Sequence, residues 1–298
     1  MSDGSNTGEI TPRNIVWVED KPPDFTHIDR QRLTASHFTH AIVCFFHLND
    51  QLKLVYDGPD SPYDGKYDEW WQYLAGLGQQ QQQTPKTLMM SVGGWDSGTW
   101  EAAQGKAVAA AMEIVGFARA KGFDGIDFNF EGPYRFPKRL DLYKSFAELI
   151  VEVRKVWTGI FTITPIYGEL SFQMRSIQDA IGGANWQDYL SWINVQFYRY
   201  QDSTPVPDPD VPAEYDDVLS KFQAPPGKVA AGFPLSETDV QFNVRELEVA
   251  RSAVTRIYQK YPGFAGLFAW RFRGVFRGDN GGEPLLWAMA FFEMFHAR

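Results

Sequence analysis

Asp127, Asn129 and Glu131 occupy every second position of Phe123-Asp124-Gly125-Ile126-Asp127-Phe128-Asn129-Phe130-Glu131. In an extended chain successive side chains point to opposite faces, so these three share one face, about 7 Å from one to the next. Ile126, Phe128 and Phe130 share the other face. Two carboxyl groups and an amide on one face can perform proton-transfer chemistry, with one carboxyl as acid and its neighbours holding a substrate or a charge. Left buried and unpartnered, such groups would cost about 2–7 kcal/mol each even when neutral. Their face must therefore open onto a solvated mouth or a satisfied polar network. An edge strand with one wet face would show the same alternation. The long helical segments flanking this strand instead suit a covered parallel sheet, and the cluster reads as a functional site.

The elements that must position these residues follow from the rest of the chain. Short apolar runs recur at Ile15–Val18, Ala41–Phe46, Thr87–Val92, Gly125–Phe130, Phe161–Ile166, Ile193–Tyr198, Val229–Phe233 and Ala265–Trp270. Helical patterns lie between several of them, at Trp100–Ala120, Arg139–Trp157, Val240–Tyr261 and Pro284–His296, with shorter ones near Glu69–Leu77 and Ala213–Phe222. Eight alternating strand and helix units in this length predict an α/β fold, a single (β/α)8 TIM barrel over residues 13–298 after a disordered leader of residues 1–12. A doubly wound open sheet is the other architecture with this alternation. No Gly-x-Gly-x-x-Gly follows a strand, which counts against its dinucleotide-binding form. Active sites of parallel barrels gather where the strands end at the C-terminal face. Glu131 ends the fourth strand, Tyr198 the sixth and Trp270 the eighth, so the three converge on one mouth. The glutamine run Gln79–Gln83 reads as a solvated loop, while Asp202–Pro212 and Arg271–Gly282 read as mouth loops that either line a groove or merely connect.

Composition narrows the classes. The 28 Lys and Arg against 37 Asp and Glu give a net charge of −9, without a basic tract, so nucleic acid is a poor partner. Aromatic residues make up 15% of the chain, which suits both a large core and stacking on sugar rings. The single Cys44 lies in an apolar run, which excludes an internal disulfide and points to burial. No run of 18 apolar residues is present to cross a membrane, and Met1–Pro12 lacks the apolar stretch of a signal peptide. The expectation is a cytoplasmic protein with no membrane partner, or a secreted one if a leader had been removed.

Asp-Gly-Ile-Asp-Phe-Asn-Phe-Glu, residues 124–131, resembles the Asp-Gly-x-Asp-x-Asp-x-Glu signature of glycoside hydrolase family 18, the chitinases and endo-β-N-acetylglucosaminidases. Asn129 stands where the family has its third Asp. Ser91-Val92-Gly93-Gly94 is similar to the family's third-strand Ser-x-Gly-Gly, Gln196-Phe197-Tyr198 to its sixth-strand Gln-x-Tyr, and Trp270 to the Trp ending its eighth strand. These segments fall in the family's order over roughly residues 15–295. One helix fills the short interval between the last two strands, so the α+β insertion that many members carry there is expected to be absent.

The resemblance implies substrate-assisted, retaining cleavage of β-1,4 bonds between N-acetylglucosamine units, with no metal and no cofactor. By that resemblance Glu131 is the acid and Asn129 holds the acetamide N–H. Tyr198 binds the acetamide carbonyl, Trp270 floors the sugar, and Asp127 tunes Asn129 from behind. Asp124 takes a structural role beneath the barrel. Gln196 either contacts the site or satisfies polar neighbours, and Trp95, Trp100 and Tyr134 either touch sugar or pack. Glu19 is a further polar candidate without a family counterpart. The expected partner is an N-acetylglucosamine-containing oligosaccharide or glycoprotein glycan, bound by a monomer. Because Asn129 supplies no charge, the resemblance implies attenuated or transglycosylating chemistry; the rival expectation is a chitinase-like lectin that binds without cleaving.

Overall fold

The computed structural model describes residues 12–56, 58–79, 85–95, 98–131, 139–198, 210–234, 247–270, 272 and 283–296. Nine strands alternate with helices along the chain. They are β1 (Arg13–Val18), β2 (His40–Leu48), β3 (Leu54–Tyr56), β4 (Thr87–Gly94), β5 (Gly125–Phe130), β6 (Ile160–Ile163), β7 (Trp192–Gln196), β8 (Val229–Pro234) and β9 (Gly266–Trp270). Eight of them pair in parallel in the order β1-β9-β8-β7-β6-β5-β4-β2, and a β1–β2 pairing closes the ring. β3 is the addition: it pairs antiparallel to the end of β2 as a hairpin extension outside the ring. The fold is thus the expected single (β/α)8 barrel, and no separate insertion domain is evident among the described residues.

Ten α-helices are described. They are α1 (His27–Ala35), α2 (Asp68–Leu77), α3 (Gly98–Ala102), α4 (Ala107–Ala120), α5 (Leu140–Val156), α6 (Leu170–Ala180), α7 (Trp186–Tyr189), α8 (Val211–Phe222), α9 (Leu247–Lys260) and α10 (Glu283–His296). The helical stretch read as Trp100–Ala120 is two helices, separated where Gly105 turns at φ +65°. α1 has no counterpart in the sequence reading, although its start is written in a capping box. Thr26 N donates to Asp29 Oδ2 at 2.8 Å, and Asp29 N donates to Thr26 Oγ1 at 3.3 Å. Residues 1–11 of the predicted leader, most of the glutamine run, and most of the two mouth loops lie outside the described residues.

Alternation along the strands divides the apolar residues into two cores. Between strands and helices lies the large one, and β5 contributes Ile126, Phe128 and Phe130 to it. Trp100 backs this face, with ring centroids 5.0 Å from Phe130, 5.3 Å from Phe146 and 5.6 Å from Phe128. Inside the ring sits a smaller cluster of Ile15, Trp17, Ile42, Cys44, Met89, Trp192, Tyr198, Ala230, Ala265 and Phe268. Gly232 makes room for it, since a Cβ there would fall 2.0 Å from the Phe268 ring. At the N-terminal end of the barrel the Arg13 guanidinium lies 4.1 Å over the Trp192 ring, and the His40 ring meets the same indole edge-on. Burial pushes His40 down to about 3, so it sits neutral in this floor at neutral pH.

Truncating Trp100 removes the backing of β5 without touching the interior polar face. Trp100→Ala should lower the unfolding free energy by about 3–5 kcal/mol, as large aromatic deletions in cores do. Urea denaturation followed by circular dichroism checks this, and a loss below about 1 kcal/mol would show that the helix layer does not depend on this ring.

Candidate active site

β5 places the signature residues inside the ring. Asp127 is wholly buried, Asn129 is 1% exposed, and Glu131, one residue past the strand, is 5% exposed. Buried polar groups require partners, and the neighbouring strands supply them. Ser91 on β4 donates to Asp127 Oδ2 at 2.8 Å. Thr162 on β6 and Thr164 just beyond it donate to Asp127 Oδ1 at 2.5 and 2.8 Å. Asn194 on β7 adds an N–H at 3.2 Å, and its own carbonyl is held by the Trp192 indole N–H at 2.7 Å. Burial pushes the Asp127 carboxyl above the usual carboxylate range, against hydrogen bonds from the two threonines, Ser91 and Asn194 that pull it back.

The three upper polar groups form a second network. Asn129 Nδ2 donates to Glu131 Oε1 at 2.9 Å, and Gln196 Nε2 donates to the same oxygen at 2.8 Å. Gln196 also lies 3.4 Å from Asn129 Oδ1 and 3.2 Å from the Thr164 carbonyl. Both amides thus converge on a single carboxyl oxygen of Glu131. Asn129 gives its amide to Glu131 rather than to Asp127 below it. Gln196 thus contacts Asn129 and Glu131 as well as the backbone of the β6 end.

Gly93 explains why Ser-x-Gly-Gly stands beside this strand. Its φ is +108°, and a Cβ would lie 2.3 Å from the Asn129 carbonyl oxygen and 2.5 Å from the Trp100 ring. Glycine lets β4 approach β5 at the level of Asn129.

The aromatic candidates separate. Tyr198 follows β7, is 1% exposed, and packs in the interior cluster. Trp270 ends β9 half-buried, 5.4 Å from Trp17 and 5.6 Å from Phe45 between ring centroids. Phe45 reaches this group because the β2–β4 register shifts between Val43 and Phe46, so that both Cys44 and Phe45 join the interior cluster. Trp95, just past β4, is 37% exposed, whereas Trp100 is fully buried and packs behind the strand. Tyr134 lies outside the described residues, and Glu19 is half-buried after β1. Asp124 has the structural part expected of it, its Oδ2 accepting the Leu88 N–H at 2.8 Å at the opposite end of β5.

The residues missed in the sequence are Thr162, Thr164, Asn194 and Phe45. The first three did carry a signal. Thr162-Ile163-Thr164 and Asn194-Val195-Gln196 alternate polar and apolar at the same period as the signature strand. Phe45 carried none, because a register shift is invisible to strict alternation.

The profile described as Glycosyl hydrolases family 18 matches residues 17–271. The chain belongs to glycosyl hydrolase family 18. Among solved structures, a fungal endo-β-N-acetylglucosaminidase of family 18 superposes with a TM-score of 0.71 at 17% identity, over 96% of this chain and 99% of the other. A family 18 chitinase from Pseudoalteromonas aurantia gives 0.72 at 18% identity, over 94% and 99%. The chitinase ChiC from Aspergillus fumigatus gives 0.68 at 19%, over 96% and 100%. These likenesses are of fold. No curated protein matches the sequence. Family 18 membership makes this a glycosidase barrel, with the signature Glu at the C-terminal end of its fourth parallel strand.

The buried carboxyl should be visible in the pH dependence of stability. A carboxyl raised above its unfolded value of about 3.9 favours the fold when protonated. Its contribution is thus complete at pH below that value and is lost as pH rises through the higher folded value. Asp127→Asn removes the titration. The variant's stability relative to wild type should therefore increase from about pH 3.5 toward neutrality, read as urea midpoints across that range. Parallel curves would show that the hydrogen-bond donors fully offset burial.

Proposed function

We propose that the protein is a retaining glycosidase that cleaves β-1,4 linkages between N-acetylglucosamine units. The observation that carries this reading is the Glu131–Asn129–Gln196 network at the end of β5 in a family 18 barrel. In substrate-assisted cleavage the protein supplies one acid, and the substrate supplies the nucleophile. Glu131 Oε2 protonates the glycosidic oxygen as the bond to the anomeric carbon breaks. The carbonyl oxygen of the 2-acetamido group closes onto that carbon, giving an oxazolinium. Glu131, now a carboxylate, then takes a proton from the water that opens the ring, so configuration is retained.

Among the described residues Asn129 Oδ1 is engaged only by the long 3.4 Å contact from Gln196, which leaves it able to accept the acetamide N–H. Tyr198 binds the acetamide carbonyl, and Trp270, braced by Trp17 and Phe45, floors the sugar. Trp95 stacks on a more distant sugar unit, a role its exposure beyond β4 supports. Chitin oligomers and the chitobiose core of N-linked glycans present the same bond. The similar structures include both chitinases and an endo-β-N-acetylglucosaminidase. A neutral amide at 129 orients the acetamide but contributes no charge toward the cation, and charge-assisted bonds are roughly twice as strong as neutral ones. Slow hydrolysis, with sugar acceptors competing against water, is the consequence.

Incubation with a chitin tetrasaccharide and with a high-mannose glycopeptide, followed by mass spectrometry, should yield shortened oligomers or a peptide keeping one N-acetylglucosamine. Binding of both without cleavage would make the protein a lectin. Glu131→Gln should remove turnover while binding survives. Residual turnover within about tenfold of wild type, some 1.4 kcal/mol of barrier, would place the acid elsewhere.

Asn129→Asp restores a charge beside the cation and should raise the initial rate about tenfold or more. It should also reshape the pH profile from about pH 4 to 9, since three neighbouring carboxyls titrate as a set. A variant no faster at any pH would show that Asn129 is not an impaired copy of the family Asp.

A further inference from the structure

The carbonyl of Phe130 belongs to the peptide plane from which Glu131 departs, so whatever fixes that carbonyl fixes the base of the acid. Along β5 the carbonyls of alternate residues face β6. Ile160 N donates to Asp124 O at 3.0 Å, and Thr164 N donates to Phe128 O at 2.9 Å. The pairing ends at Phe128–Ile163. Beyond Thr164 the chain turns to β7, where Gln196 N donates to the Pro165 carbonyl at 2.9 Å and Ile166 bridges Gln196. The next carbonyl in the row, that of Phe130, is met by a side chain instead. Gln173 Nε2, from α6, donates to it at 2.8 Å.

Gln173 is fully buried on the helix face that carries Leu170, Met174 and Ile177. Its own carbonyl oxygen is buried with no hydrogen-bond partner among the described residues. A half-satisfied amide is unfavourable in such a place compared with an apolar side chain of similar size. Its contribution therefore lies in the donated N–H rather than in packing. Glu131 Oε1 must stay within reach of Asn129 and Gln196, at 2.9 and 2.8 Å, and small displacements of reacting groups cost rate steeply.

We propose that Gln173 is a positioning residue for Glu131, replacing the missing rung of the β5–β6 ladder and holding the acid in register with Asn129 and Gln196. This rests on the reading of Glu131 as the acid. Gln173→Leu should lower kcat about tenfold or more while KM for a chitin tetrasaccharide stays within about twofold, the signature of an interaction needed in the transition state only. Gln173→Glu provides a second readout, and carries the test if the Leu variant does not fold. A protonated carboxyl can donate its O–H to the Phe130 carbonyl, and a carboxylate cannot. Activity relative to wild type should therefore be near full at acid pH and fall as pH rises. Unchanged kcat in Gln173→Leu, or a Gln173→Glu profile that overlays wild type, would overturn the proposal.

A crystal structure of Gln173→Leu, or of Gln173→Glu at alkaline pH, reads the same claim without activity. Loss of the Asn129 and Gln196 contacts to Glu131 supports it, and their persistence overturns it. If wild type cleaves neither substrate, the glycosidase reading fails, while these structures still decide whether Gln173 sets the position of Glu131.

Discussion

A carboxyl group without access to solvent must find its donors within the protein, and Asp127 draws them from three neighbouring strand segments. Ser91, Thr162, Thr164 and Asn194 converge on it from β4, the end of β6 and β7. That requirement fixes which residues of those strands face inward, and hence the register of four consecutive staves of the barrel. A shift of one residue would exchange these donors for Val92, Ile163 or Val195 and leave the carboxyl unpartnered. The Asn129–Glu131–Gln196 network lies one step higher on the same staves, so its geometry follows from the Asp127 cage beneath it.

The two layers divide the labour. Asp127 is enclosed by hydroxyls and an amide that locate it but leave it no bond to Asn129. Asn129 is thereby left to pair with Glu131, and its amide N–H meets an oxygen that an aspartate could approach only with a proton on one of the two carboxyls. An amide here makes a fixed contact where a carboxyl would make a titratable one. The Asn129 amide holds Glu131 without a titratable proton of its own. Gln196 reinforces the fixed contact from β7, and it is held in turn through the Pro165 carbonyl where β6 leaves β5.

Much of this was legible in the sequence because period-two alternation records which residues face inward. The eight barrel strands fall where short apolar runs predict them, and Asp127, Asn129 and Glu131 share a face as their spacing requires. The cage was equally legible in Thr162, Thr164 and Asn194, but alternation within a single strand does not reveal which neighbour receives a hydroxyl. Phe45 and Gln173 were not legible. The first depends on a register shift in β2 that breaks alternation, and the second is a helix residue whose partner is a backbone carbonyl forty-three positions away. The hairpin strand β3 is too short to carry a pattern, and α1 is marked only by its Thr26–Asp29 cap.

The proposed function, with the acid on Glu131 and the nucleophile on the substrate, requires that the new bond form on the face from which the leaving group departed, after two displacements. Proton NMR of the first products released from a chitin tetrasaccharide, recorded before mutarotation equilibrates them, reads this directly. The β anomer should predominate at the earliest times and relax toward the equilibrium mixture. An initial α anomer would mean single displacement by water, and would contradict participation of the acetamide group.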